Sequence, residues 1–585
     1  MRKSSTYKIL AAVMALSTVN VFVPHNMLAY DITSDNTTIS TEPINENIYG
    51  NGYSFTINGG TIYGEVFGAG NSLINYNEDA SGGNVTINGN AEVKYAVYGG
   101  RSGKGEAYNN TVNISGGSVT NDVYGGHSFG GSAKDNQIII RGSANITNAN
   151  LYGSYKSTDT GNTLTIDGWK GNTKSVQNFN DIAFKNINWN ENKPVLTITA
   201  GSTDDLENTT IDTIHIAGGS DINVDESKTL IESGNGNDLG LTEGNVTDTF
   251  TAGVAREGLG STIVNTNGEV SFKVNSIKLS SQAVSAAQTR AASAAFVNQG
   301  TDLISDSLDT ISRDDNYGVK TFAAVHGNRS KYDVADDIKI NGWSTIVGVG
   351  NADKFDNGSE FSWGVFYENG SGNYRTYNSF NNEFFRGDGS MVYNGGGIAA
   401  RYENKNGVYT EGSLRAGMLK NELDNAMRDV NGSYGYETES AYYGAHIGIG
   451  KIISLSDSSD LDIYGKFFHT YTEGDSVTIA GDKFDFDSIT SDRLRVGARI
   501  TSNKENKFST YYGLAYEYEF NGDADMTAQG LRADTQSLQG SSVMAEVGFN
   551  YQPTPDSPWS FDLNMRGYTG ERQGGSFNVQ ATYTF

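Results

Sequence analysis

The sequence predicts an all-β chain in three parts: an N-terminal right-handed parallel β-solenoid, an α-helical linker, and a C-terminal antiparallel transmembrane β-barrel of twelve strands. Three observations carry this expectation. Residues 56–169 repeat a short-strand pattern, residues 280–312 form one alanine-rich stretch, and everything after Tyr317 alternates apolar with polar residues. The chain ends on that alternation: in "SFNVQATYTF" the residues Phe577, Val579, Ala581, Tyr583 and Phe585 share one face. The boundaries expected are a signal peptide at 1–29, the solenoid at 30–279, the helix at 280–315 and the barrel at 316–585.

Composition narrows the classes first. Glycine makes up 72 of 585 residues, about 12% against a usual ~7%, and proline only 6, which favours turn-rich β structure over collagen-like or proline-rich chains. The formal net charge of -26 repels a phosphate backbone and excludes nucleic acid as a partner. Cysteine is absent, so there is no disulfide, no thiolate zinc site and no cysteine nucleophile.

At the start, Arg2, Lys3 and Lys8 precede the apolar run from Ile9 to Val23, and the small residue Ala29 follows. That is the order of a secretory signal peptide, although Met27 fits poorly three residues before the cut. An N-terminal membrane anchor is the alternative; the run is shorter than the ~20 residues a span requires.

The repeat then begins. "TINGGTIYGEVFGAGNS", "TINGNAEVKYAVYGGRS", "NISGGSVTNDVYGGHS" and "IIIRGSANITNANLYGSYKS" share a β-branched strand, a glycine corner, a second strand and an aromatic before glycine. The markers Ile57, Ile87, Ile114, Ile140 and Ile166 advance by 30, 27, 26 and 26 residues, the spacing of stacked units. From Asn172 to about Val274 the texture is looser and reads as the same solenoid with decayed repeats. A β-sandwich is the alternative for this half.

From Ser280 onward "SSQAVSAAQTRAASAAFVNQGTDLISDSLDTIS" has strong helix propensity and a single glycine, Gly300. Its small residues suit a helix threaded through a tight tube; a plain interdomain linker is the alternative. Twelve strands follow, near 319–327, 342–355, 360–369, 392–403, 407–418, 439–452, 460–472, 489–501, 507–520, 541–551, 558–568 and 574–585. Long polar connections (328–341, 370–391, 419–438, 473–488, 521–540) alternate with short ones, the asymmetry of an outer-membrane barrel.

Strand parity supports this. In "YGLAYEYEF" Tyr512, Leu514, Tyr516, Tyr518 and Phe520 face lipid, and Tyr511, Gly513, Ala515, Glu517 and Glu519 face the bore. In "DRLRVGARI" Leu494, Val496, Ala498 and Ile500 face out, and Arg493, Arg495 and Arg499 face in. The same parity turns Arg401, Glu411 and Arg415 inward. A soluble barrel is the alternative, and it would not need outward aromatics.

The arrangement resembles the monomeric autotransporters of the type V secretion system. The resemblance spans the chain in order: signal peptide, solenoid passenger, linker helix and twelve-stranded translocator. Its specific pieces are "EGSLRAGMLKNEL" (411–423), "LRVGARIT" (494–501), "YYGLAYEYEFNGDA" (511–524) and the terminal "ATYTF". It implies a Gram-negative-type envelope, export through the Sec translocon, insertion into outer-membrane lipid by the barrel-assembly machinery, and a passenger on the cell surface. It implies that Tyr583 and Phe585 belong to the signal that this machinery reads. It also leaves the helix in the pore, with the inward charges pairing among themselves or with Gln288, Arg290, Asn298 and Gln299. Some members cut the helix between two asparagines; here only Asn298 is present, so the passenger is expected to stay attached.

Candidate chemistry in the passenger is sparse. His127 takes the corner position of Arg101 one repeat earlier and reads as a solvated corner residue; His215 lies in the strand "TIHIAG". No GDSGG-like, GDSL-like or HExxH segment is present, and neither a metal nor a cofactor is expected. "RGD" at 386–388 falls in an expected external loop. Two functions stay open: an adhesin or aggregation factor that meets a host surface, a matrix ligand or like cells, and a surface hydrolase acting on polysaccharide or glycan. A simple porin is a third, disfavoured because the helix fills the pore.

Overall fold

A computed structural model describes residues 29–40, 43–71, 77–203, 205–313, 317–332, 338–380, 383–503, 507–554 and 557–585. The expected signal peptide lies outside the described residues apart from Ala29. Two compact units are present. The first runs to Ile182 and adds 196–209 and 233–240; the second takes 183–195, 210–232 and 241–585.

The first unit is built of stacked parallel strands. One ladder joins Tyr30–Asp31, Ile48–Tyr49, Val66–Gly70, Val97–Ser102, Val123–Ser128, Asn150–Tyr152 and Ser175–Gln177. A second places Ile39, Ile57, Ile87, Ile114, Ile140 and Ile166 in register, every one buried, so the isoleucine spacing is the rise from one coil to the next. Burying such a side chain contributes about 1.5–3 kcal/mol. Short strands with Ala80, Ala107 and Ala133 in register form a corner of buried alanines.

Polar groups inside the stack satisfy one another. Asn110 Nδ2 donates to Asn136 Oδ1 (2.9 Å) and to the Ala80 carbonyl (2.9 Å). Asn136 Nδ2 repeats this with Asn162 Oδ1 (3.0 Å) and the Ala107 carbonyl (2.9 Å). All three side chains are buried, where an unpaired amide would cost about 1–3 kcal/mol, so the ladder fixes the coil spacing as well as lowering the energy. His127 departs from the sequence expectation. It is only 4% exposed, in register with Arg101, and packed among Tyr98, Tyr124, Phe129 and Tyr155. Burial, with the Arg101 charge adding to it, holds its imidazole down at about 4.

In the second unit, strands Thr249–Ala252, Arg256–Val264 and Val270–Leu279 pair antiparallel, so residues 249–279 are hairpins and not decayed coils. The cause is local: Asn267 and Gly268, the latter at φ 74°, form a tight turn in which Gly268 N donates to the Asn265 carbonyl. His215 is buried, with Nδ1 2.7 Å from Thr251 Oγ1.

Twelve antiparallel strands then close into a barrel: β1 (Gly318–Tyr332), β2 (Ile338–Lys354), β3 (Glu360–Phe380), β4 (Glu383–Glu403), β5 (Val408–Asp429), β6 (Gly432–Ser456), β7 (Ser459–Thr472), β8 (Ile489–Ser502), β9 (Phe508–Glu519), β10 (Gly540–Tyr551), β11 (Trp559–Gly570) and β12 (Arg572–Thr584). β12 pairs with β1 from Lys320–Thr584 to Tyr332–Arg572, which leaves no sheet edge for hydrocarbon to meet. Several connections expected as loops are strand instead. β3 and β4 stay paired out to Phe380 and Glu383, and β5 and β6 out to Asp429 and Gly432. The polar composition of these segments hid inward residues such as Tyr374, Leu423, Met427 and Tyr436, which pack in one apolar cluster. "RGD" accordingly lies in β4, with Arg386 Nη2 2.8 Å from the Asp388 carboxylate.

The remaining connections carry their own small sheet, from Asp475–Ile479, Asp482–Phe486, Met526–Ala528 and Leu531–Arg532. Asp482 is fully buried and accepts from the backbone N–H of Gly219 (2.9 Å), Val254 (2.8 Å) and Ala255 (2.8 Å). A side chain at Gly253, which sits at φ 52°, would overlap that carboxylate.

Candidate functional site

Helix α1 (Ser281–Arg313) occupies the barrel and contacts strands around it, β1 to β8 and β12 along its length and β11 through Arg566. Its start is capped: Ser280 Oγ accepts from Ala283 N (3.2 Å), satisfying a donor the first turn leaves free. Alanines keep it thin enough to pass.

The two halves of the helix meet different walls. In the first, Ala286, Ala287, Ala291, Ala294 and Ala295 belong to one apolar cluster with Tyr374, Tyr393, Tyr436 and Tyr442. Phe296 takes space that Cβ atoms at Gly342 and Gly372 would fill, at 2.6 and 3.0 Å from its ring. Gly300 has a similar cause: a Cβ there would lie 2.5 Å from Arg415 Nη1 and 2.7 Å from the Tyr393 hydroxyl.

In the second half three aspartates carry the contact. Asp302 lies 2.8 Å from Arg495 and 3.3 Å from Arg493 through one oxygen, and 3.0 Å from Arg572 through the other. Asp306 takes both Nη atoms of Arg566, at 2.8 and 2.7 Å. Asp309 meets Arg401 (2.9 Å), Lys466 (3.0 Å) and Arg499 (3.7 Å). Barrel carboxylates complete the network: Glu368 with Arg415 (2.9 Å), Glu411 with Lys466 (2.8 Å), Glu517 with Arg495 (2.7 Å), and Glu546 with Arg499 (2.6 Å) and Arg566 (3.2 Å). Arg401 also stacks over Tyr409, 3.6 Å from its centroid. Each cation of this network has a carboxylate, which is what compensates for its removal from water.

The residues singled out by strand parity fall as follows. Arg401, Glu411, Arg415, Arg493, Arg495, Arg499, Glu517 and Glu519 are all buried in the bore. Arg415 reaches the helix at the Val297 carbonyl (2.7 Å), and Arg493 at the Asn298 carbonyl (3.2 Å). Glu517 pairs within the wall, and Glu519 accepts from Ser491 Oγ (2.5 Å). On the helix, Arg290 donates to Ser440 Oγ (3.0 Å) and to the Glu473 carbonyl, and Asn298 Nδ2 donates to Ser491 Oγ (2.9 Å). Gln288 and Gln299 are buried in the same bore. Wall charges pair with one another, as Arg495 with Glu517 (2.7 Å) and Arg401 with Glu411 (3.5 Å), and the helix carboxylates that meet the wall cations are Asp302, Asp306 and Asp309. Their spacing of four and three residues marks one helix face, a signal present in the sequence and unread. Glu368, Lys466, Glu546, Arg566 and Arg572 were also missed, each on the inward parity of its strand.

At the end where the connections are short, a polar cavity of about 840 Å³ opens beside the helix, lined by Asp306, Asp309, Glu403, Asp460 and Asp562 among others. On the outside, Tyr583 and Phe585 stack edge-on at 4.9 Å, and Phe585 N donates to the Val319 carbonyl (2.9 Å).

A closed barrel with an apolar exterior, an ionic interior and a helix through its bore defines an outer-membrane translocator. Residues 321–565 match the family model described as the autotransporter beta-domain, and the C-terminal barrel belongs to that class of outer-membrane domain. Among solved structures, the chain is similar to the translocator domain of autotransporter NalP from Neisseria meningitidis (16% identity, 51% of this chain and 100% of that one, TM-score 0.38). It is also similar to the beta domain of the Bordetella autotransporter BrkA (13%, 46% and 100%, TM-score 0.36) and the transport unit of AIDA-I from Escherichia coli (11%, 46% and 91%, TM-score 0.36). No curated protein matches the chain.

Proposed function

We propose that the N-terminal half is a passenger that stays attached to its barrel on the cell surface and serves there as a binding module, an adhesin or aggregation factor. The observation that carries this reading is the lodged helix. Asp302, Asp306 and Asp309 tie α1 to six arginines and one lysine of the wall, and pulling it out would take from those cations the carboxylates that compensate their burial. A helix so anchored suits a permanent tether. Biogenesis then runs through the Sec translocon and the barrel-assembly machinery, with Tyr583 and Phe585 in the recognised terminal strand. The module's regular coils, with the aromatic side chains Tyr53, Tyr63, Tyr95, Phe129 and Tyr155 exposed, suit recognition of an extended surface.

The test is expression of the full chain in a bacterium with an outer membrane. Protease added to intact cells is expected to digest the passenger and spare the barrel, with no free passenger in the medium and with clumping or adhesion of the cells. A protected passenger overturns the display, released passenger overturns the tether, and display without clumping or adhesion overturns the binding role.

A further inference from the structure

The lipid-facing wall of the barrel is not evenly convex. Across β3 to β6, Trp363, Ala400, Gly412 and Ile447 stand in one outward row, with Leu414 and Ala445 in the next. Trp363, Leu414 and Ile447 are exposed and bulky, and the small residues between them leave an apolar groove of about 480 Å³. Ser413 and His446 border it as well, but both side chains are buried on the bore side, where they bond to each other. What faces outward is hydrocarbon, over backbone already paired in the sheet.

The groove lies towards the end of the barrel where the connections are short. One step nearer that end the outward row is Tyr402, Thr410 and Ile449, and the next pairs Val408 with Lys451, beside the turn that carries Lys405. From Gly412 to Val408 the strand, tilted as barrel strands are, descends about 10 Å, so the groove lies that much deeper in the hydrocarbon than Lys451. Lys405 and Lys451 are both exposed, and nearby carboxylates are taken by other cations: Glu360 by Lys354 (3.1 Å) and Glu403 by Arg401 (3.1 Å). This stretch of rim is cationic on a chain whose net charge is -26.

We propose that this groove holds one acyl chain of an anionic glycerophospholipid from the periplasmic leaflet, with the lipid phosphate on Lys405 and Lys451. Hydrocarbon surrounds the barrel everywhere, so seating a chain brings no hydrophobic gain. The concave wall gives closer van der Waals contact than a convex one, and its volume is near that of one long acyl chain. The lysines supply the preference for negative charge, about fivefold each. A lipid of the opposite leaflet would carry its phosphate to the far end of the barrel, away from both. The competing occupant is a second copy of this chain. Two copies in one membrane share their orientation, so a two-fold axis through the groove would set the lysines of both at the same depth, like charge against like.

The purified full chain in detergent is titrated with dipalmitoyl phosphatidylglycerol and, separately, with dipalmitoyl phosphatidylethanolamine, and its adducts are counted by native mass spectrometry. One phosphatidylglycerol is expected to stay bound at concentrations where phosphatidylethanolamine does not, and inorganic phosphate at equal concentration is not expected to displace it. Lys405→Ala with Lys451→Ala is expected to weaken that binding roughly tenfold or more. Ala400→Leu with Ala445→Leu fills the groove and is expected to lose the adduct with both lysines in place. Gel mobility of the unheated barrel establishes that each variant is folded; if the leucine pair is not, the lysine pair decides. Equal retention of the two lipids, or an adduct that the folded variants keep, overturns the proposal. Displacement by inorganic phosphate reduces the site to an anion rim and overturns the groove. A dimer that the leucines abolish assigns the groove to a second copy and overturns the lipid.

Discussion

The solenoid and the barrel obey one rule of alternation with opposite sign. In the solenoid Val112 and Ile114 point into a dry core, whereas in the barrel Leu494 and Val496 point outward and Arg493 and Arg495 inward. Water bathes the first surface and hydrocarbon the second, so the apolar face of a strand reports where the oil is and not where the inside is. The difference extends to polar groups. The solenoid buries neutral amides in a ladder that each coil extends, and the barrel buries full charges whose partners come from a helix and from several strands. A neutral rung is replaceable coil by coil; an ionic hub is shared.

That contrast gives the largest expected effect. Asp302→Ala leaves Arg493, Arg495 and Arg572 around an empty site, and removing one partner of a buried pair costs about 3–5 kcal/mol. The thermal unfolding of the folded barrel, followed by gel mobility in detergent, is expected to drop accordingly, with Asp302→Asn intermediate. A barrel of unchanged stability would mean that the bore is wetter than its packing implies. Next in size is a test of the two outer faces. Leu514 is 64% exposed and Tyr63 is 48% exposed, so accessibility alone puts both on the surface. Leu514→Arg is expected to destabilise by about 2–4 kcal/mol, because its charge faces lipid. Tyr63→Arg should stay within about 0.5 kcal/mol, because its charge faces water. Equal effects on barrel and solenoid stability would break the comparison.

Those elements that repeat or alternate were legible in the sequence. Ile57, Ile87, Ile114, Ile140 and Ile166 are in register because each marks one coil, and all twelve barrel strands are present because lipid enforces parity along each. The outward and inward sets of "YGLAYEYEF" follow for the same reason, with Leu514 exposed and Glu517 buried. Partner choice was not legible. Arg495 and Asp302 are 193 residues apart, and parity says only that Arg495 enters the bore. Asn110, Asn136 and Asn162 recur every 26 residues, as the isoleucines do, yet asparagine at a corner reads as a turn residue until the neighbouring coil supplies its partner. Strand content in 370–391 and 419–438 was hidden by polar composition, and the Asn267–Gly268 hairpin by a short-strand texture that reads as decayed repeats.

His127 shows the same blindness to neighbouring coils, and it yields the smallest expected effect. Its ordinary value of 6.5 falls to about 4 in the folded protein, through burial first and then the charges of Arg101 and Lys156. The unfolded chain therefore takes up a proton that the folded coil refuses. Stability is full above about pH 6.5, falls as pH drops towards 4, and levels off below it. For that shift the loss at pH 5 is about 2 kcal/mol. Other groups titrate in the same range, so the measurement is the difference between the native chain and His127→Phe, which fills the aromatic site without a proton. Denaturant unfolding of the passenger at pH 7.5, 6, 5 and 4 is expected to give curves that diverge below pH 6.5, the native chain losing more. Parallel curves would mean that the imidazole charges freely within its ring of aromatics, and that this position is open to water after all.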